Sequence, residues 1–194
     1  MEPGTRQSLI ETATRLVRKR GYSACSYADL AEVVGIRKPS IHHHFPNKED
    51  LGEAIVEVYA AEFGKLLDQI HARTPDPIER LKRYAGLYKD GLARGEGCLC
   101  GVLASEISIL PPRVQTQVRR FFALNLRWLE ATLRDGVARG DVRPDLSPAR
   151  EAHTILSALQ GATFVALSMH KPASFDQALA GLLAGLRAPA RRKR

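Results

Sequence analysis

Long apolar runs are missing from this sequence. No stretch reaches the roughly 18 uncharged apolar residues that a membrane span needs. The first residues, Met1 to Gln7, are polar where a secretory leader would be apolar. A cytoplasmic protein with no membrane partner is therefore expected. Cysteine is scarce and odd in number, with Cys25, Cys98 and Cys100 the only three in 194 residues; this excludes a disulfide-built fold and suits a reducing compartment. No segment repeats at a fixed period and no tract is of low complexity, which excludes solenoids and a largely disordered chain. Strand alternation and hairpin signals are also missing, so sheet architectures drop out. The sequence is expected to be all-α.

Charge of one sign is in excess, at a formal +8, which raises the question of an anionic partner. The excess is not spread evenly. Residues 1–50 and 51–186 are each close to neutral, while Arg187 to Arg194 holds five cations and no acid. Bulk charge is thus a weak argument for nucleic acid, and a local motif has to carry it.

Helical periodicity is what the sequence has in abundance, and nine helices are expected. The first runs from about Thr5 to Arg20, with Leu9, Ile10, Ala13, Leu16 and Val17 as its apolar stripe and Gly21 as its stop. A short second helix covers Tyr27 to Val34, capped by Ser26 with Asp29 three residues on, and buries Leu30, Val33 and Val34. Gly35-Ile36-Arg37 turns the chain into a third helix, Lys38 to Phe45, with Pro39 tolerated in its first turn and Pro46 as its stop. Asn47 caps a fourth helix with Leu51, Ile55, Val58 and Leu66 inside. Five further helices are expected over about 78–94, 98–109, 112–139, 148–169 and 174–187. Ser174 with Gln177 looks like a further capping box.

Two short helices joined by a tight glycine-containing turn describe a helix-turn-helix, whose second helix enters the major groove. At about 100° per residue, Ile41, His44 and Phe45 fall on one side of the third helix, and Pro39, His42 and His43 on the other, with Ser40 flanking. Arg37, Lys38 and Lys48 add cations, with no acid in residues 37–48. Lys and Arg donate to guanine edges, and Ser, His and Lys reach phosphates. Lys48 and the N–H groups after Asn47 sit at a helix N-terminus, which favours a phosphate.

The run Gly21-Tyr22, Ser26-Tyr27, Asp29-Leu30-Ala31, then Gly35 through Leu51, resembles the DNA-binding domain of the TetR/AcrR family of transcriptional regulators. The resemblance covers about residues 5–55; beyond it only the all-helical layout is similar. It implies a nine-helix fold with a helix-turn-helix domain over 1–50, helix four (about 47–71) as connector, a ligand-binding and dimerisation domain over 51–187, and a basic tail over 188–194. It also implies a homodimeric repressor of a palindromic operator, released by a small hydrophobic or electrophilic effector and dimerising through helices eight and nine, about 148–187. Carried over by position, Lys38, Pro39, Ser40, His42 and His43 face the groove, Arg37 adds a cation near DNA, and Tyr27, His44 and Lys48 approach phosphates. Arg37 departs from the family's usual Ser or Thr cap, and His42 from its usual Tyr.

Other residues carry two readings each. Cys98 and Cys100 are small core residues or, at the start of helix six with its thiol-acidifying dipole, a sensor for electrophiles or oxidants acting through Cys98. Gly97-Cys98-Leu99 with Glu106 resembles the family's electrophile-sensing subgroup. Tyr84, Tyr88, Phe121, Phe122 and Trp128 are core, and some of them line an effector pocket. Residues His42-His43-His44 do not converge on one metal ion, because neighbours on a helix diverge by about 100°. No Cys-His pairing suggests a nucleophile and base, so neither an enzyme nor a cofactor is expected. A helical interaction module without sequence-specific DNA binding is the remaining rival.

Overall fold

The computed structural model describes residues 4–187, and the basic tail expected over 188–194 lies outside them. Nine α-helices make up the described residues: α1 (Thr5–Arg20), α2 (Tyr27–Val34), α3 (Lys38–His44), α4 (Lys48–Arg73), α5 (Pro77–Leu92), α6 (Leu99–Ser105), α7 (Pro112–Arg139), α8 (Pro148–Ser168) and α9 (Ala173–Leu186). Extended pairing among these residues is one isolated bridge, Val142 with Arg187. No described helix is long and apolar enough to cross a membrane.

Local chemistry sets most of the boundaries. Gly21, at φ 89°, ends α1 with its N–H on the Val17 carbonyl. Ser26 and Asp29 form the reciprocal capping box of α2, and Gly35 ends that helix in the left-handed region. Asn47 Oδ1 accepts the Asp50 N–H at 2.9 Å and caps α4. Asp76 Oδ1 accepts from Ile78 and Glu79 ahead of Pro77 and caps α5.

The chain forms two compact units. One holds the residues up to Phe63 together with Glu96–Phe122, the other Gly64–Gly95 together with Ala123 onward. The first packs Leu9, Ile10, Leu30, Ile41, Ile55, Leu99 and Leu103, all close to 0% exposed. The second is built around Tyr84, Leu129, Leu133, Leu159 and Phe175.

Several expectations are corrected. Val33 is 55% exposed, because Leu30 is the one buried residue of α2. On α4 Leu51 and Ile55 are buried as expected, and the buried side continues through Phe63, Leu67 and Ile70. Leu66, about 100° round the helix from Leu67, falls off that side and is 41% exposed, while Val58 is half-buried. Helix α6 ends at Ser105 rather than near 109, where the Glu106 side chain turns to the α1–α2 turn instead of extending the helix. Ser174 caps nothing. Pro172 already has helical geometry, α9 begins at Ala173, and the Ser174 hydroxyl donates back to the Lys171 carbonyl at 2.8 Å.

Candidate nucleic-acid interface

Helix α3 is seven residues long, too short to persist alone, and its Arg37 cap makes no side-chain hydrogen bond. Its neighbours hold it. Ile41 and Phe45 are buried. The Tyr27 hydroxyl donates to the Phe45 carbonyl at 2.9 Å, tying α2 to the end of α3. His42 Nδ1 lies 3.2 Å from the Pro46 carbonyl, and its ring meets the Tyr27 ring edge-on at 4.9 Å. Arg6 adds a guanidinium over the Phe45 ring at 5.1 Å.

With Ile41 and Phe45 inward, Arg37, Lys38, Pro39, Ser40, His42 and His43 are exposed, and Tyr27, His44 and Lys48 are half-buried. All nine candidate residues thus belong to the first unit. Pro39, Ser40, His43 and His44 join Ile36 and Thr5 around a recess of about 480 Å³. Thr5 lies more than thirty residues from α3, and no sequence signal marks it. Two candidates already have partners. Tyr27 commits its hydroxyl proton to Phe45, and partial burial pushes its pKa up to about 12. The Lys48 ammonium lies over the Tyr22 ring at 4.5 Å and donates to the Ser23 carbonyl at 3.4 Å. A phosphate would compete for both donors.

Two ties within the first unit join residues far apart in the sequence. Arg18, near the end of α1, donates to the Gly97 carbonyl at 2.7 Å and pairs with Glu96 at 2.9 Å. Glu106 accepts from the Tyr22 and Ser23 N–H groups at 2.7 and 2.9 Å, and from the Ser23 hydroxyl. Partial burial works to raise the Glu106 pKa. The Ser23 hydroxyl, the two N–H groups and the Lys48 charge together outweigh it and hold the carboxyl below its usual range.

The six effector or sensor candidates separate into two clusters. Cys98, Cys100 and Phe122 belong to the first unit; Tyr84, Tyr88 and Trp128 belong to the second. Cys98 is the N-cap of α6 and receives the Tyr59 hydroxyl at 3.7 Å. Both Cys98 and Cys100 are buried, and burial pushes the Cys100 thiol well up. At Cys100, in the first turn of α6, this is the reverse of the acidified thiol that a helix N-terminus suggests, because burial disfavours the thiolate. The geometry therefore does not favour the thiol-sensor reading. Cys25 is buried as well. An aromatic disulfide reagent is expected to titrate well under one thiol in the native protein and all three after unfolding in guanidinium; rapid native reaction at Cys98 would restore it as a reactive site. Among the described residues no group of three or more His, Cys, Asp or Glu is placed to hold a metal ion.

Residues 9–55 match the family described as bacterial regulatory proteins, tetR family. Residues 77–182, more than half the chain, match the tetracyclin repressor-like C-terminal domain. The HTH-type transcriptional repressor DhaR of Mycobacterium sp. (strain GP1) is 28% identical over 158 residues, 81% of this chain and 79% of that protein. Transcriptional regulator AcuR of Cereibacter sphaeroides is 29% identical over 160 residues, 80% and 73% of the two chains. The crystal structure of a TetR-family transcriptional regulator from Agrobacterium tumefaciens is 33% identical, with a TM-score of 0.91 over 94% of this chain and 97% of that one.

Proposed function

This chain belongs to the TetR family of bacterial regulatory proteins, and from that premise we infer a homodimeric repressor that binds a palindromic operator and leaves it when a small apolar effector enters the bundle. The observation that carries the reading is α3: its apolar side is buried on Ile41 and Phe45, and it turns Lys38, Ser40, His42 and His43 outward inside the segment that matches the family. In this reading Lys38, Pro39, Ser40, His42 and His43 face base edges, with Arg37 beside them. Tyr27, His44 and Lys48 exchange their internal partners for phosphates. Residues 1–50 read DNA, and residues 51–187 bind the effector and form the dimer.

One helix-turn-helix covers one half-site. A two-fold dimer places two of them about 34–36 Å apart, one turn of B-DNA. The dimer forms through α8 and α9; Phe164 and Val165 on α8 and Met169 at its C-cap expose apolar surface, and a stable interface should bury more than about 1,000 Å². Effector release requires tighter binding of effector to the DNA-free form; a coupling of about 1–3 kcal/mol changes operator affinity 5- to 150-fold.

The test is selection from a random DNA pool with the purified protein. An enriched palindrome with half-sites about one helical turn apart is expected, and the absence of any enriched motif would refute the reading. On the selected operator, Lys48→Ala is expected to weaken all sequences about equally and to reduce the salt slope by about one unit, the mark of a lost phosphate contact. His43→Ala is expected to relax sequence preference instead; a uniform loss across sequences would remove His43 from base readout.

A further inference from the structure

The interior of the second unit contains a row of polar side chains. The Tyr84 hydroxyl donates to Asn125 Oδ1 at 2.8 Å, and Tyr84 and Asn125 are both fully buried. The Tyr88 hydroxyl lies 3.1 Å from that of Tyr84. Gln160 Nε2 reaches the Tyr88 hydroxyl at 3.5 Å. Along this row Gln160 donates an amide N–H to Tyr88, and Tyr84 donates to Asn125. At its head Gln160 Oε1 is buried and has no hydrogen-bond partner. Native interiors seldom leave such an atom unpaired.

Aromatic rings enclose the row. Tyr84 stacks on Trp128 with ring centroids 5.4 Å apart and planes 19° apart. Tyr88 stacks on Phe175 at 6.4 Å and 26°. None of these residues is charged. The Lys89–Asp176 pair, carried by the same helices α5 and α9, is solvent-exposed. A charged guest would be desolvated here without a counter-ion, whereas an uncharged one with a donor would satisfy Gln160.

We propose that this cluster is the effector site, and that it takes an uncharged phenol-type molecule whose hydroxyl donates to Gln160 Oε1 while its ring packs against Tyr88 and Phe175. The assignment rests on the ligand-responsive reading of the bundle given above. It adds Asn125, Gln160 and Phe175 to Tyr84, Tyr88 and Trp128.

Trp128 is the only tryptophan. It stacks on Tyr84, so its emission reports on this cluster whether or not DNA is present. The full-length protein is titrated with 4-propylphenol, its methyl ether and 4-propylbenzoate. These probes share a ring and tail but differ in donor and charge. The phenol should change Trp128 emission saturably, the ether should bind at least tenfold more weakly, and the benzoate should give no response. Gln160→Met, close in shape, should bring phenol and ether within twofold of each other. The proposal is overturned if the native protein binds phenol and ether equally, binds the benzoate as well as the phenol, or responds to none of the three. A tenfold preference that survives in Gln160→Met overturns it too. The native comparison needs no variant, so a misfolded Gln160→Met leaves the test intact. Failure here with a selected operator in hand removes this site and keeps the regulator reading. Phenol discrimination without any selected operator does the opposite.

Discussion

Replacing Glu106 with alanine is expected to lower the unfolding free energy by about 2–3 kcal/mol, measured by denaturant titration. Glu106 directly follows α6, and its carboxylate accepts the N–H groups of Tyr22 and Ser23 and the Ser23 hydroxyl. Each hydrogen bond to a charged group contributes about 1.5–3 kcal/mol, and the partial exposure of this one lets water recover part of the loss. Gly21, just before the donating pair Tyr22 and Ser23, supplies an independent check. Its φ of 89° is unfavourable for an L residue, and a Cβ there would collide with Glu106 Oε1. Gly21→Ala therefore carries both backbone strain and a clash in the native background. In Glu106→Ala only the strain of a non-glycine residue at φ 89°, ψ 166° remains, about 1–3 kcal/mol. The double variant should be more stable than the sum of the singles predicts, by about 1 kcal/mol, beyond the roughly 0.5 kcal/mol scatter of independent sites. Simple additivity would mean that Glu106 does not hold this turn. Acid supplies the third check. The Glu106 pKa is depressed in the folded protein, so its stabilisation is complete above the unfolded value near 4.3. It is lost as pH falls through the lower folded value. The gap in stability between native protein and Glu106→Gln should therefore close in acid, and a gap independent of pH would rule out the carboxylate as its source.

What the sequence made legible is what neighbouring residues decide. The stops at Gly21 and Gly35, the Ser26–Asp29 box, Pro39 in a first turn and the Asn47 cap are all interactions within four residues. They were enough to place the helix-turn-helix and the exposed face of α3. The Ser174–Gln177 pair had the same appearance and failed, because Pro172 had already taken up helical geometry and moved the start of α9. Long-range choices were not legible. Glu106 meets Tyr22 and Ser23 across more than eighty residues; in the sequence it belongs only to the resemblance to the electrophile-sensing subgroup, and nothing there links it to the α1–α2 turn. The fold sorts the aromatic and thiol effector candidates into separate units, and it adds Asn125 and Gln160, whose amides carry no periodic signal. Cys100 shows the limit of a local electrostatic argument, since a dipole effect read from helix position yields to burial that only the tertiary structure determines.

The largest expected loss of DNA binding comes from a residue that never faces DNA. Ile41 is fully buried, and it is the one buried residue within α3; Phe45, the C-cap, is buried beside it. The helix has no side-chain N-cap and is far below the length at which helices persist alone. Its position therefore depends on Ile41, on Phe45, and on the Tyr27 bond to the Phe45 carbonyl. Truncating a fully buried Ile to Ala costs about 2–5 kcal/mol, according to how far the site can collapse. In Ile41→Ala that loss should fall first on α3, so amide exchange should quicken from Lys38 to His44 before the rest of the first unit opens. Binding to the selected operator should then fall at least a hundredfold and with the same ratio on mismatched sequences, because the whole recognition surface loses its footing. Ser40→Ala is the contrast. Ser40 is exposed and makes no side-chain hydrogen bond that holds α3, so melting and exchange should stay within about 0.5 kcal/mol of native while preference changes at one operator position. If Ile41→Ala left α3 exchange unchanged and altered preference at a single base pair, Ile41 would itself be reading DNA, and the inward and outward faces of α3 would have to be exchanged. If Ser40→Ala destabilised the helix as strongly as Ile41→Ala, packing and readout could not be separated on this helix. Uniform loss from the buried side and selective loss from the exposed side is the outcome that places base recognition on the outer face of α3.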